Sequence, residues 1–502
     1  MRVAAVIPTL NEAIAVGDVV RGLLRQADVC CVLVVDSAST DGTPEAARLA
    51  GAIVLPEPRR GYGRACRTGA AAALGPMADN HWHEAIAFLD GDGSCDPGDI
   101  GRLIRGLDGA DVVLGRRPRG RLERGAMPWH AFVGNLVVAG LATLLTGRTV
   151  HDFPPSKVIR SDALRRLTLD DDRFGWTAQL VTRALADRSL RIAEVPVAFL
   201  RRRGGSSKVS GSWRASILAG RAMLGTVVRE RRSRPVLALM AKAPRAGHAK
   251  TRLAAHLGES LTAELWAACL ADAADGVAAA ARDSRSTWMA MVPSGSDVDP
   301  VRAIIGPTVD IRVQTTPGLS GALADVFRDA AARGADRAVA IAGDSPTLGS
   351  GPVQATLFML DRSVSGAVLG PTHDGGYHLV GLRLPVVARR WPSSNGHRHP
   401  DLERRLKAAF GEQAMGTPTA LDQTREALRG AGWTIRLGSE HQDLDTIDDL
   451  RELADGLAAD GRSAPRTADW ARHHQAVIDS GRNDATMEGP PNIEPEERGA
   501  RP

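Results

Sequence analysis

The residues of this chain best suited to chemistry lie in a few acidic strings and in two loops rich in basic residues. Asp90-Gly91-Asp92 follows the apolar run Ile86-Ala87-Phe88-Leu89. On an extended chain, residues two apart share a side, and a glycine between them lets the backbone approach a ligand closely. Two carboxylates so placed suit a hard divalent cation, Mg²⁺ or Mn²⁺, which offsets charge developing on a phosphate-type leaving group. The same triplet also reads as a polar turn, because turn chemistry favours these residues. Arg201-Arg202-Arg203-Gly204-Gly205-Ser206-Ser207-Lys208 supplies planar forks and a point charge for phosphate oxygens; its plain alternative is a solvated basic loop. Later in the chain, Asp344 closes the run Ala338–Ala342, and Asp374 and Asp445 follow further apolar runs. Three acids after three strand ends could hold Mg²⁺ with a nucleoside triphosphate or a diphospho-sugar. Asp445-Thr446 fits a helix cap equally well. Lys242, Lys250 and Arg252 lie in a glycine-bearing loop directly after an apolar run, the placement in which a sheet meets phosphates.

These strings need elements to position them, and the chain supplies an alternation of strands and helices. Val3–Ile7, Val32–Val35, Ile86–Leu89 and Val112–Leu114 are short apolar runs bounded by turn residues, and Ile14–Gln26 has helical spacing. The rhythm restarts at Val236–Met240 after the basic join 229–235, with a long Ala-rich helix over about 260–281. Strands follow near 287–292, 309–313, 337–342, 366–369, 377–382 and 433–437, and then a helix near 446–459. Such alternation implies an α/β fold with mostly parallel, doubly wound sheets. The predicted division is one domain over 1–228, a second over 234–458, and a polar, Pro-rich, disordered tail over 461–502.

With 63 basic and 58 acidic residues the net charge is only +5, so nothing in the balance calls for a nucleic-acid partner. The five cysteines are scattered, show no metal-ligand spacing and fit a reduced, cytoplasmic compartment. The N-terminus reads as a first strand, not a signal peptide. The apolar segment 131–145 has two readings, a helix lying in a bilayer interface or a buried helix of the domain. Beside it, Arg116, Arg117, Arg119, Arg121 and Arg124 suit an anionic acceptor or membrane surface, or simply a solvated charge run.

Val6-Ile7-Pro8-Thr9-Leu10-Asn11-Glu12, Val34-Val35-Asp36-Ser37-Ala38-Ser39-Thr40-Asp41-Gly42-Thr43 and Gly61-Tyr62-Gly63-Arg64-Ala65, taken with Asp90-Gly91-Asp92, resemble family 2 glycosyltransferases of the nucleotide-diphospho-sugar (GT-A) fold. The resemblance implies that Pro8, Glu12 and Asp36 line a nucleoside pocket and that Asp90 and Asp92 hold metal and diphosphate. Ser37 departs from the second Asp common in relatives, which leaves the base unread. Phe174-Gly175-Trp176, Glu194-Val195-Pro196-Val197 and the Arg201–Val209 segment resemble polyprenyl-phosphate mannose or glucose synthases, implying that Arg202 and Lys208 clasp phosphates. Asp92 and Asp152 are the catalytic candidates. An ionised phosphate acceptor needs no base, whereas a hydroxyl acceptor would take Asp152 as its general base.

The second stretch resembles bacterial, uncharacterised glycosyltransferase-like proteins related to guanylyltransferases of cofactor assembly. The resemblance rests on Lys242-Ala243-Pro244-Arg245-Ala246-Gly247-His248-Ala249-Lys250-Thr251-Arg252, Ala342-Gly343-Asp344-Ser345-Pro346, Leu369–Tyr377 and Asp443-Leu444-Asp445-Thr446. It implies a second GT-A-like domain with Asp344 on a metal. The expectation is therefore a bacterial, bifunctional enzyme with two tandem GT-A-like domains. It moves a hexose from a UDP- or GDP-linked donor to a lipid phosphate or other phosphorylated acceptor, in the cytoplasm or at the inner membrane face. The second domain is a nucleotidyltransferase or a non-catalytic nucleotide-binding module.

Overall fold

In the computed structural model the described residues are 1–75, 82–173, 175–203, 213–230, 234–247, 250–363, 365–385, 400–411, 417, 419–460 and 463–480. The first seven strands are β1 (Val3–Thr9), β2 (Val29–Asp36), β3 (Ile53–Pro56), β4 (Ala85–Phe88), β5 (Val112–Arg116), β6 (Lys157–Arg160) and β7 (Ile192–Pro196). They form one sheet in the order β3-β2-β1-β4-β6-β5-β7. Only β6 runs antiparallel to its neighbours β4 and β5. Val3–Ile7 and Ala85–Phe88 are buried, as strands covered by helices on both faces must be. The helix Ala13–Leu24 turns Ala15, Val16, Val19, Val20 and Leu23 onto one such face.

A second sheet is made by β8 (Val236–Met240), β9 (Thr287–Val292), β10 (Asp310–Val313), β11 (Arg337–Ala342), β12 (Gly366–Pro371), β13 (Tyr377–Arg383) and β14 (Thr434–Leu437). Its order is β10-β9-β8-β11-β13-β12-β14, with β13 antiparallel to β11 and β12. This is the topology of the first sheet repeated strand for strand, although the two halves share no visible sequence repeat. The expected α/β class with two mostly parallel sheets is what the structure has.

The halves touch through Arg165, whose Nε donates to the Pro307 carbonyl at 2.7 Å. Trp82 lies under both Arg165 and Arg302, at 5.7 and 5.3 Å from its ring centroid.

One expectation fails within the C-terminal segment. Residues 463–480 are not a structureless tail, since they carry helices Pro465–His473 and Gln475–Asp479. Ala464, Ala468, Trp470 and Ala471 are buried. Asp272, on the long helix Glu259–Ser284, accepts from the Thr467 N–H and hydroxyl, both at 2.8 Å. A short apolar face and a buried carboxylate that caps the helix outweigh the polar composition.

Candidate active site

Asp90 and Asp92 stand just beyond β4, at the carboxyl edge of the first sheet, where open α/β sheets bind ligands. Gly91 between them has a structural reason for being glycine. A Cβ there would meet Thr9 Cγ2 at 2.8 Å and Ile7 Cγ2 at 3.0 Å, so it lets the chain close down on the end of β1. Asp92 is 3 % exposed; its Oδ1 accepts from the Ser94 N–H at 2.8 Å, and its Oδ2 lies 2.6 Å from Arg202 Nη2. Arg202 also reaches Glu12 Oε1 at 3.1 Å. Asp90 takes the Tyr62 hydroxyl at 3.3 Å. Burial, and then the neighbouring Asp92 charge, push its carboxyl up to about 6, against the pull of Lys157 and Arg202.

These groups line a cavity of about 940 Å³ whose walls include Pro8, Glu12, Ser37, Tyr62, Asp90, Asp92, Arg117, Arg173 and Arg202. Lys157 lies beneath it, fully buried. Its ammonium donates to Thr177 Oγ1 at 3.3 Å and sits 5.2 Å from the Trp176 ring centroid; burial lowers its pKa. Sequence reasoning passed over Lys157. The available signal was a lysine opening the apolar run Val158-Ile159.

Two predicted site residues are absent from the cavity lining and are held by neighbouring groups. Asp36 does not line the cavity. Its carboxylate accepts from the Ser39 N–H at 3.0 Å and from Thr9 Oγ1 at 3.5 Å, bracing the loop after β2. Asp152 is likewise absent from the lining: its Oδ2 takes Arg117 N–H at 2.8 Å and Nε at 2.9 Å, and its Oδ1 takes Nη2 at 2.7 Å. A carboxylate gripped by a bidentate guanidinium is poorly placed to collect a proton. In this geometry Asp152 braces Arg117, which does face the cavity. Lys208 lies outside the described residues.

The mouth is formed partly by the helix Trp129–Thr146. It is not the buried helix of the second reading, because Trp129, Leu136, Val137 and Leu144 are 78, 58, 52 and 75 % exposed. By length and composition alone this helix could cross a membrane, a test that a core helix of a soluble protein passes as well. Arg119 stacks 4.7 Å from the Phe132 ring on it.

In the second half, Gly343 repeats the packing of Gly91, for a Cβ there would meet the Met240 carbonyl of β8 at 2.5 Å. Asp344 follows it. Ligand atoms of Asp344, Asp443 and Asp445 lie within 4.8 Å of one another, and Lys250 Nζ bridges Asp344 at 2.7 Å and Asp445 at 2.5 Å. Burial works against the Asp344 charge, yet the Lys250 ammonium holds its carboxyl below the usual range. Burial, then Asp344, Asp374 and Asp445, push Asp443 up to about 6. Asp374 does not join the cluster, because it accepts from Thr372 Oγ1 and the Gly376 N–H within its own turn. Lys242 and Arg252 are exposed; Asp443, quoted only within a motif, is the addition.

A doubly wound α/β sheet with a large acidic-and-basic cavity at its carboxyl edge defines a transferase-like architecture, and comparison with known proteins gives the family. Residues 4–168 match Glycosyl transferase family 2, and residues 273–395 match a family described as an uncharacterized protein conserved in bacteria (DUF2064). An uncharacterized glycosyltransferase of Mycobacterium tuberculosis is 40 % identical over 219 residues, covering 43 % of this chain and 94 % of that protein. The polyprenol monophosphomannose synthase of Mycolicibacterium smegmatis is 29 % identical over 225 residues, covering 42 and 82 %. The undecaprenyl-phosphate mannosyltransferase of Micrococcus luteus is 31 % identical over 228 residues, covering 42 and 88 %. The chain belongs to glycosyltransferase family 2 and carries a second, DUF2064 domain in its C-terminal part.

Proposed function

We propose that this glycosyltransferase moves a hexose from a UDP- or GDP-linked donor to a polyprenyl phosphate or a related phosphorylated acceptor. The observation that carries the reading is one cavity lined by Asp90 and Asp92 together with Arg117, Arg173 and Arg202. Part of its lining comes from the helix Trp129–Thr146, whose other face is apolar and exposed. The acids fit a divalent cation. Asp90 is raised because its charge is buried next to that of Asp92, and Mg²⁺ or Mn²⁺ held by both would relieve this. When bound, such an ion offsets charge on the departing diphosphate.

Arg202 and Arg117, held by Asp92 and Asp152, supply positive charge towards the phosphates. A phosphate acceptor arrives ionised, which agrees with Asp152 being spent on Arg117. Two of the relatives are named a polyprenol monophosphomannose synthase and an undecaprenyl-phosphate mannosyltransferase, which supports the same acceptor class. The exposed faces of Trp129, Leu136 and Leu144, with Arg119, Arg121 and Arg124 nearby, suit a peripheral position at the cytoplasmic face of a membrane.

The second domain is read as a nucleotide-handling unit whose Asp344, Asp443 and Asp445 take a cation with a nucleoside triphosphate or diphospho-sugar. Lys250 holds that position between the acids in this structure. A regulatory nucleotide-binding module is the competing reading.

The test is a donor and acceptor screen on the full chain, with UDP- and GDP-hexoses, nucleoside triphosphates, polyprenyl phosphate and neutral alcohols, each with and without Mg²⁺ or Mn²⁺. Transfer to polyprenyl phosphate that is lost in Asp92→Asn supports the main reading; transfer to neutral alcohols alone overturns it. Asp344→Asn separates a second active domain, which loses its own nucleotide turnover, from a regulatory one.

A further inference from the structure

The five cysteines show no metal-ligand spacing in sequence, yet the fold gathers two of them around a histidine. Cys30 and Cys31 are consecutive residues of β2, and a regular strand sends consecutive side chains to opposite faces. Here the ladder slips: Val3 pairs with Val29, whereas Ala4 pairs with Cys31. Cys30 is thus the extra residue of a bulge, a device that re-aims side chains. One ligand atom from each of Cys30, Cys31 and His83 consequently lies within 4.8 Å of the other two.

The histidine is independently prepared for ligation. Its Nδ1 lies 2.7 Å from the Ala73 carbonyl oxygen. A carbonyl can only accept, so in the neutral ring the proton sits on Nδ1. Nε2 then presents its lone pair, 3.3 Å from Cys31 Sγ. A ring fixed by a carbonyl through one nitrogen is the usual support of a metal-ligating histidine. The backbone behind it is anchored too, with Ser161 Oγ donating to the His83 carbonyl at 2.5 Å and the Glu84 N–H donating to the Arg2 carbonyl at 2.9 Å.

We propose that Cys30, Cys31 and His83 form a binding site for a thiophilic d¹⁰ cation, Zn²⁺ first among them, at the opposite end of the first sheet from the glycosyl-transfer cavity. Two thiolates and an imidazole are soft and borderline donors, which select against Mg²⁺ and Mn²⁺. The site is therefore separate in both place and chemistry from any ion at Asp90 and Asp92. Tetrahedral Zn²⁺ with ordinary bond lengths sets donor separations of about 3.6–3.8 Å; the Cys31–His83 pair opens slightly from 3.3 Å, and side-chain rotation at exposed Cys30 brings its sulfur into the same range. Three protein ligands leave a fourth position for water. Bound metal ties the start of β2 to the segment entering β4, so its role is to brace the end of the sheet opposite the cavity.

The experiment uses the untagged full chain, produced with Zn²⁺ and gel-filtered under reducing conditions into buffer containing Mg²⁺. Elemental analysis should find roughly one tightly held Zn²⁺ per chain. Cys30→Ser, Cys31→Ser and His83→Gln should each lose it, while Cys269→Ser, altering a buried cysteine of the other half, should retain it. Far-ultraviolet circular dichroism identifies any variant that fails to fold. Co²⁺ added to metal-free wild type should give a thiolate-to-cobalt charge-transfer band that Cys31→Ser abolishes, a readout independent of the variants' stability. Zn²⁺ content unchanged in all three variants overturns the proposal. So does a wild-type chain that gives no cobalt band, or one isolated anaerobically as a metal-free Cys30–Cys31 disulfide.

Discussion

Arg202 lies 2.6 Å from Asp92, and in the second half Lys250 lies 2.7 Å from Asp344. Each aspartate follows a glycine that packs over the end of the first strand of its own sheet, Gly91 over β1 and Gly343 over β8. The repeated topology thus carries a repeated arrangement: an acid at the carboxyl edge of the fourth strand, with a cation from a loop resting on it. In both halves that cation neutralises the carboxylate it rests on.

Asp92→Asn keeps the shape of the side chain and the Ser94 contact but removes the charge. Glycosyl transfer should fall by about 10²–10³-fold, the scale for one lost electrostatic group in an active site. The melting temperature should stay within a few degrees. Steady-state rates alongside a thermal melt check both; undiminished transfer would sink the assignment of Asp92.

Asp152→Asn distinguishes orientation from base catalysis. Removing the charge strands Arg117, which is largely enclosed, and breaking a buried pair costs about 3–5 kcal/mol. The variant should therefore melt lower and transfer more slowly. Its remaining activity should keep the pH profile of wild type, because no catalytic proton passes through Asp152. Loss of the acidic limb of that profile would restore the general base.

The site acids were legible in the sequence because the alternation of an extended chain and the position after an apolar run are local properties. The same holds for β1, β2, β4, β5 and β8–β14, whose apolar runs mark them individually. Ile53–Pro56, Lys157–Arg160 and Ile192–Pro196 were missed as strands: the first and last are short and only partly buried at the sheet edges, and the middle one is a four-residue run begun and ended by basic residues. The Arg117–Asp152 clasp joins residues 35 apart and exists only because β6 inserts antiparallel beside β5. Cys30, Cys31 and His83 meet because of one register slip, which no spacing rule reports. The tail was misread from 463 to 480 because its apolar face is built mainly of alanine, which composition counts weakly.

Gly343→Ala tests the packing that places Asp344. The added methyl would sit 2.5 Å from the Met240 carbonyl oxygen, a backbone atom that cannot rotate away. A loss of about 1–3 kcal/mol is expected, the usual scale of overpacking. Urea unfolding would measure it, and an unchanged midpoint would mean that β11 and β8 are further apart at this point.

Trp470→Ala tests whether the C-terminal helix belongs to the folded unit. Its indole is 8 % exposed and stacks on His474 at 4.4 Å between centroids. Removing a buried tryptophan costs about 3–5 kcal/mol. A variant as stable as wild type in differential scanning calorimetry would return residues 463–480 to the status of a dispensable appendage.

The join between the halves should be sensitive to acid. Glu230 is 2 % exposed and meets Arg183 at 2.9 Å and Arg234 at 3.1 Å. Burial raises its pKa, but the arginines prevail and bring it down to about 2. Because the folded value lies below the unfolded one of about 4.3, this carboxylate contributes stability that is fully present above pH about 4.3. That contribution, on the order of 2–3 kcal/mol, fades as pH falls from there towards 2. Glu230→Gln imitates the protonated acid at every pH. It should therefore melt well below wild type at pH 7, and the gap should narrow as both are titrated from pH 5 to pH 3. A gap that stays constant across that range would show that the arginines do not depend on the Glu230 charge.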